Sequence, residues 1–220
     1  MKPLSHQLSR RLTAVAACGA LACAALMAAG PAPAQARCGQ TRIAKPAKFS
    51  KSNRPPLVIG DSVLYDVVPA LARKGFEANG MICRNMAQGL KIMSTRKARG
   101  TLPHMVILEL GANGVVTTGD IQAALKIVGP GRVLVMLTPT DDDPPRGVDA
   151  AVIKASGVLH SKRMIVLDWA GAVAANPSWV AKDGVHLAGP AGQAGLVDLI
   201  VRMKPWAPSP PLQNGGATAP

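Results

Sequence analysis

The sequence predicts an α/β fold, a five-stranded parallel sheet with helices packed on both faces. Three observations carry this. Short apolar runs rich in β-branched residues recur through residues 56–204. Each run is continuous rather than alternating, as expected of strands buried on both faces. Segments with apolar residues at helical spacing separate them, and strand–helix alternation of this kind builds a parallel sheet.

The elements follow in order. Leu57-Val58-Ile59 is the first strand, and Val63–Arg73 has helical spacing after it. Phe76–Cys83 is a weaker second strand, followed by a helix over Met86–Arg99. Met105–Leu110 is the third strand, with a helix over Asp120–Val128. Val133–Leu137 is the fourth, with a helix over Val148–His160. Met164–Leu167 is the fifth, and Ala191–Met203 closes the series as a helix. No internal repeat interrupts the pattern.

The flanks read differently. Residues 1–36 have the make-up of a secretory signal: Lys2, Arg10 and Arg11, then an Ala- and Leu-rich stretch, then Ala34-Gln35-Ala36 as a small-residue cleavage site. Cleavage after Ala36 makes the protein periplasmic or secreted, with no stable membrane insertion afterwards; a membrane anchor is the alternative. Ser9-Arg10-Arg11 also resembles a twin-arginine export signal. Residues 37–55 form a basic leader without acidic residues, expected to lie extended on the surface or disordered. The Pro-, Gly- and Ala-rich tail 205–220 is expected to be disordered. Two cysteines, Cys38 and Cys83, remain after cleavage. An oxidising compartment allows them to pair; two independent thiols are the alternative.

Composition narrows the function. Hydrophobic residues make up 48% of the 220, too many for a disordered chain. Aromatics make up 3%, too few for stacking platforms on single-stranded nucleic acid. The formal charge is +13. In an exported protein that charge meets anionic envelope polymers before nucleic acid, so a polymer partner is possible and nucleic acid is not expected. For each single basic residue, including Lys91, Arg96, Lys97 and Arg99, a solvated surface is the simplest use.

In open α/β sheets ligands bind beyond the carboxyl ends of the strands. The residues there are Gly60-Asp61-Ser62, Gly111-Ala112-Asn113-Gly114, Thr138–Asp143, Asp168-Trp169 and Asp183-Gly184-Val185-His186. Of four histidines, His6 lies in the signal, and His104 and His160 precede strands at the opposite edge. His186 alone lies in a loop able to return to the carboxyl edge. A serine nucleophile needs a base that titrates near neutrality, and the base needs a carboxylate to orient it. Ser62, His186 and Asp183 are therefore the candidates for nucleophile, base and orienting acid. Ser62 begins a helix, where backbone N–H groups stabilise an oxyanion. Asn113, after a neighbouring strand, offers a side-chain donor. Gly89, after the second strand, offers a backbone N–H without crowding a substrate.

Taken together, Gly60-Asp61-Ser62, Gly89, Gly111-Ala112-Asn113 and Asp183-x-x-His186 resemble the four blocks of the SGNH (GDSL-type) hydrolase family in order and spacing. The resemblance implies a flavodoxin-like three-layer α/β/α sandwich. It implies Ser62 as nucleophile, His186 as base and Asp183 as orienting acid, with an oxyanion hole from the Ser62 and Gly89 N–H groups and the Asn113 amide. It requires no metal and no organic cofactor. Gly114 stands where the third block often ends in Asp. Gly-x-Asn-Gly is similar to the block in SGNH domains of bacterial acyltransferases, which points toward cell-envelope glycan esters.

The expected activity is a serine-dependent esterase acting on small acyl groups, acetyl above all, by way of an acyl-enzyme. An acyltransferase with the same triad, a non-catalytic envelope-binding domain and a basic surface binder are the alternatives. Asp61 reads as a turn or capping residue rather than a catalytic acid. Ser94-x-x-Lys97 lacks the partner motifs of a penicillin-binding site. Asp141-Asp142-Asp143 reads as a solvated loop, and Trp169 and Trp179 as cleft lining or packing.

Overall fold

The structure, a computed structural model, describes residues 38–48, 54–140 and 147–204. The signal peptide with its cleavage site, the tail 205–220 and Asp141-Asp142-Asp143 lie outside the described residues. Six strands form one sheet: β1 (Thr41–Ala44), β2 (Leu57–Gly60), β3 (Glu77–Met81), β4 (Met105–Glu109), β5 (Val133–Leu137) and β6 (Met164–Leu167), in the order β1-β3-β2-β4-β5-β6. Strands β2 to β6 are mutually parallel, as predicted.

β1 corrects the five-stranded expectation. It comes from the basic leader and pairs antiparallel with β3, Thr41 opposite Met81 and Ala44 opposite Ala78. Two β-branched residues in four favour the strand, and β3 offers it an open edge. Its charges are engaged: Arg42 lies over the Tyr65 ring at 4.3 Å and donates to the Tyr65 carbonyl, and Lys45 pairs with Glu77 at 3.5 Å. Cys38, just before β1, is disulfide-bonded to Cys83, just after β3. A cross-link spanning 45 residues stabilises the fold by about 2–4 kcal/mol in the chain-entropy account.

The first predicted helix is two: α1 (Ser62–Tyr65) and α2 (Val68–Arg73). Pro69 is the reason, since it suits a first helical turn and has no N–H to continue α1. Then come α3 (Met86–Ala98), α4 (Thr118–Val128), α5 (Gly147–Leu159) and α7 (Gly189–Val201), close to expectation. Helix α6 (Trp169–Ala175) and a 3-10 turn at Pro177–Trp179 were not foreseen. α3 and α4 start on reciprocal caps, Asn85 with Gln88 and Thr117 with Asp120.

Alternation along each strand sends side chains to opposite faces. Val58, Ile107 and Val135 join residues of α1, α2, α6 and α7 in one core. Ile59, Val106, Leu108 and Met136 join residues of α3, α4 and α5 in the other. Each fully buried aliphatic side chain contributes about 1.5–3 kcal/mol relative to exposure. The result is the three-layer α/β/α sandwich. Among the described residues no helix is long and apolar enough to cross a membrane.

Candidate active site

Ser62 is the first residue of α1, directly beyond the carboxyl end of β2. Asp61 caps that helix: its Oδ1 accepts from the Val63 N–H at 3.0 Å, and its Oδ2 accepts from the Ala112 N–H at 3.3 Å. One buried carboxylate thus ties the Ser62 turn to the Gly111-Ala112-Asn113 turn after β4. Gly60 is needed for the close approach, since a Cβ there would stand 2.5 Å from Leu64 Cβ and 2.6 Å from a Glu109 carboxylate oxygen.

His186 arrives on a small hairpin. The Ala181 N–H donates to the His186 carbonyl at 2.7 Å, and the Ala188 N–H donates to the Trp179 carbonyl at 2.8 Å. Trp179 anchors its base. It stacks on Trp169 with ring centroids 5.8 Å apart and lies against Gly192 and Gly195 of α7. Trp169 is buried in the core, so the pair packs the loop rather than opening onto the cleft.

This hairpin brings the predicted residues together. Ser62 Oγ lies 3.0 Å from His186 Nε2, and His186 Nδ1 lies 2.7 Å from Asp183 Oδ2. Asp183 Oδ1 also accepts from the Val185 and His186 N–H groups, each at 3.0 Å. Partial burial pushes the Asp183 carboxyl upward, but the Val185 N–H, the His186 ring and the His186 N–H outweigh it and hold its pKa below the ordinary value. Asp183 is therefore an anion at neutral pH, an acceptor for an Nδ1–H that leaves Nε2 facing the serine. The ring and the carboxylate are both about half exposed, so a substrate can reach them.

The donors divide. Asn113 Nδ2 is buried and makes no hydrogen bond among the described residues. That is costly for an amide unless a ligand atom occupies the place. The Ser62 N–H likewise has no partner among them. Gly89 corrects the expectation: its N–H donates to the Asn85 carbonyl within α3 at 3.2 Å, and the residue packs against Leu110. In a helix that starts at Met86 after the N-cap Asn85, the Gly89 N–H makes the first bond of the ladder, so Gly89 contributes close packing and no free N–H.

Beneath the serine lies an ionisable cluster the motifs did not reveal. Arg84 is buried; it donates to the Gly60 carbonyl and to Asn79 Oδ1, each at 2.7 Å. Burial pulls its pKa down to about 10, against the pull of Asp61. Glu109, fully enclosed at the end of β4, is raised well above the ordinary value by burial and by Asp61. Burial also raises Asp61, to about 6, although hydrogen bonds from the Val63 and Ala112 N–H groups, the nearby Asn113 amide dipole and the charge of His186 oppose it. A lone glutamate in the apolar run Met105–Leu110 was the one sequence signal of this cluster.

The remaining polar candidates take structural places. Asp168 caps α6, accepts from the Thr138 hydroxyl and pairs with Lys154 at 2.8 Å. His104 and His160 lie at the opposite edge, as expected from their positions before β4 and β6. Among the described residues no three His, Cys, Asp or Glu side chains converge as a metal site requires. A cavity of about 400 Å³ beside the His186 hairpin is lined by Thr140, Ala170, Val173, Val180 and Ala181.

The fold is that of the SGNH (GDSL-type) hydrolases. Among solved structures, the C-terminal catalytic domain of peptidoglycan O-acetyltransferase A from Streptococcus pneumoniae, carrying a methylsulfonyl adduct, matches with a TM-score of 0.57 and 22% identity, over 76% of this chain and 93% of that one. A lipolytic protein of the G-D-S-L family from Veillonella parvula matches with a TM-score of 0.55 and 14% identity, over 68% and 97%. By sequence the chain is a homologue of the putative peptidoglycan O-acetyltransferase YrhL of Bacillus subtilis, 30% identical over 73% of this chain. The chain spans about a quarter of the length of the curated relatives it matches. No protein-family model matches the chain.

Proposed function

We propose that this protein is a serine-dependent acyl-transfer enzyme acting on acetyl esters of cell-envelope glycan. The observation that carries the reading is the unbroken relay from Ser62 Oγ through His186 to Asp183, beside a buried Asn113 amide with no hydrogen-bond partner among the described residues. The relatives named as peptidoglycan O-acetyltransferases support the choice of acetyl and of envelope glycan.

The chemistry follows from the geometry. Ser62 Oγ attacks the ester carbonyl while His186 Nε2 takes its proton, and Asp183 stabilises the imidazolium. The carbonyl oxygen becomes an oxyanion, which the Ser62 N–H and Asn113 Nδ2 stabilise. Collapse expels the alcohol, protonated by His186, and leaves acetyl on Ser62. A second nucleophile, activated by the same imidazole, then releases the acetyl group. Water gives hydrolysis; a sugar hydroxyl gives transfer. The names of the relatives favour transfer, and the half-exposed His186 leaves water access as well.

Hydrolysis of p-nitrophenyl acetate by the protein, beside Ser62→Ala and His186→Ala, tests the reading. Wild type is expected to turn over and both variants to lose about 10³-fold or more in kcat/KM with unchanged Tm. Equal rates in all three would overturn it. Adding an acetyl-free glycan acceptor to the same assay separates the two outcomes: a transferase yields acetylated glycan, a hydrolase only acetate.

A further inference from the structure

Cys83 is the one non-glycine residue with a positive φ among the described residues, at 63°. It is the third residue of the turn Met81–Arg84, closed by the Arg84 N–H on the Met81 carbonyl at 3.2 Å. A positive φ at that position ordinarily calls for glycine, because a Cβ crowds the backbone there. This chain holds a cysteine instead and ties it to Cys38. Pairing between the Cys38–Gln40 segment and Ile82 runs up to the turn, with Gly39 N–H on Ile82 O and Ile82 N–H on Gln40 O, both 3.0 Å.

The turn stands at the edge that carries the nucleophile. Gly60 and Gly80 are paired across β2 and β3, so Ser62 and Cys83 follow the same level of the sheet by two and three residues. The Arg84 side chain crosses that gap to the Gly60 carbonyl at 2.7 Å. The Cys83 N–H makes no hydrogen bond among the described residues, whereas the Gly89 N–H is committed to its helix.

We infer that the Cys38–Cys83 disulfide holds this turn in its left-handed conformation so that the Cys83 N–H serves as a backbone donor to the oxyanion, and that reducing the disulfide lowers turnover. The inference rests on Ser62 being the nucleophile. Reduction is a two-electron step: a dithiol such as dithiothreitol opens the S–S bond, two cysteine thiols form, and the reagent closes to its own disulfide. The freed Cys83 then relaxes to negative φ and turns its N–H away.

The test is turnover of p-nitrophenyl acetate by oxidised wild type, dithiothreitol-reduced wild type, Cys38→Ser and Cys83→Gly, each with its Tm. The expected result is a kcat at least tenfold lower, with little change in KM, for the reduced protein and for Cys38→Ser. Cys83→Gly lacks the same cross-link and shows the same fall in Tm, but glycine adopts the left-handed turn freely and keeps the backbone N–H, so its kcat falls several-fold less than that of Cys38→Ser. A merely structural disulfide would lower kcat equally in Cys38→Ser and Cys83→Gly, and that outcome overturns the inference. So does an unchanged kcat on reduction, which covers the case of Cys38→Ser failing to fold. If oxidised wild type does not turn over, the esterase reading fails and this inference fails with it; if it does and the cysteine changes have no differential effect, only this inference fails.

Discussion

Asn113 and Asp61 show how single residues divide the work around Ser62. Asn113 Nδ2 is buried with no protein hydrogen bond to lose among the described residues. Asn113→Ala is therefore expected to lower kcat by about 10²–10³-fold while Tm stays level. A large fall in Tm with unchanged kcat would show a structural amide instead. Asp61 carries the opposite signature. Burial raises its pKa to about 6, above the ordinary value for an aspartate. A carboxyl raised on folding contributes stability that is complete below about pH 4 and is lost as pH rises through about 6. The shift corresponds to about 3 kcal/mol. In urea titrations between pH 4.5 and 7, wild type is expected to lose stability relative to Asp61→Asn; parallel pH curves would remove Asp61 as the source.

The element that decides the site is the Trp179–Ala188 hairpin. It has little secondary structure of its own, only the bridge between Val180 and Leu187. Its position comes from Trp179, which fits where Gly192 and Gly195 leave α7 without side chains. A Cβ at Gly192 would collide with the Trp179 carbonyl oxygen, the same oxygen that accepts from Ala188. Gly192→Ala is therefore expected to shift the hairpin and lengthen the Ser62–His186 hydrogen bond. The prediction is a kcat at least tenfold lower with a folded far-UV spectrum, because small misplacements of a base are expensive in rate. Unchanged kcat would mean that α7 yields instead of the hairpin.

For the whole molecule, the proposed function gives the formal charge of +13 an expected role in steering an anionic substrate. Lys91 and Lys97 lie exposed on α3 and Arg99 at its C-cap, while Arg96 is paired with Glu77. A field of this sign attracts anionic envelope glycan and leaves a neutral small ester unaffected. Raising salt from 0.05 to about 0.5 M, where the screening length falls to a few ångström, is expected to lower kcat/KM on an acetylated anionic glycan several-fold. The rate on p-nitrophenyl acetate is expected to hold. Equal salt response for both substrates would place the effect in the enzyme's stability rather than in steering.

Strand order along the chain and most helix positions were legible in the sequence from local pattern, and Ser62, His186 and Asp183 were legible as candidates from the loops at one sheet edge. Continuous apolar runs report burial on both faces, and loops after parallel strands report the functional edge. His186 was singled out by elimination of His104 and His160, an argument from edges alone. What the linear pattern does not encode is which donors remain free once helices and turns have formed. Gly89 and Cys83 are six residues apart. Only the folded chain commits the first N–H to a helix and leaves the second without a partner among the described residues. β1 was hidden for a related reason: a four-residue strand in a basic leader becomes a strand by pairing with the open edge of β3 and by the disulfide at its end. Arg84 and Glu109 stayed unmarked because burial, which shifts their pKa values, is a property of the packed cores. The sequence by itself determined the sandwich and nominated Ser62, His186 and Asp183; tertiary packing brought those three within hydrogen-bond distance and decided the sixth strand, the free donors and the ionisation of the groups beneath the serine, since each depends on partners far apart in the chain.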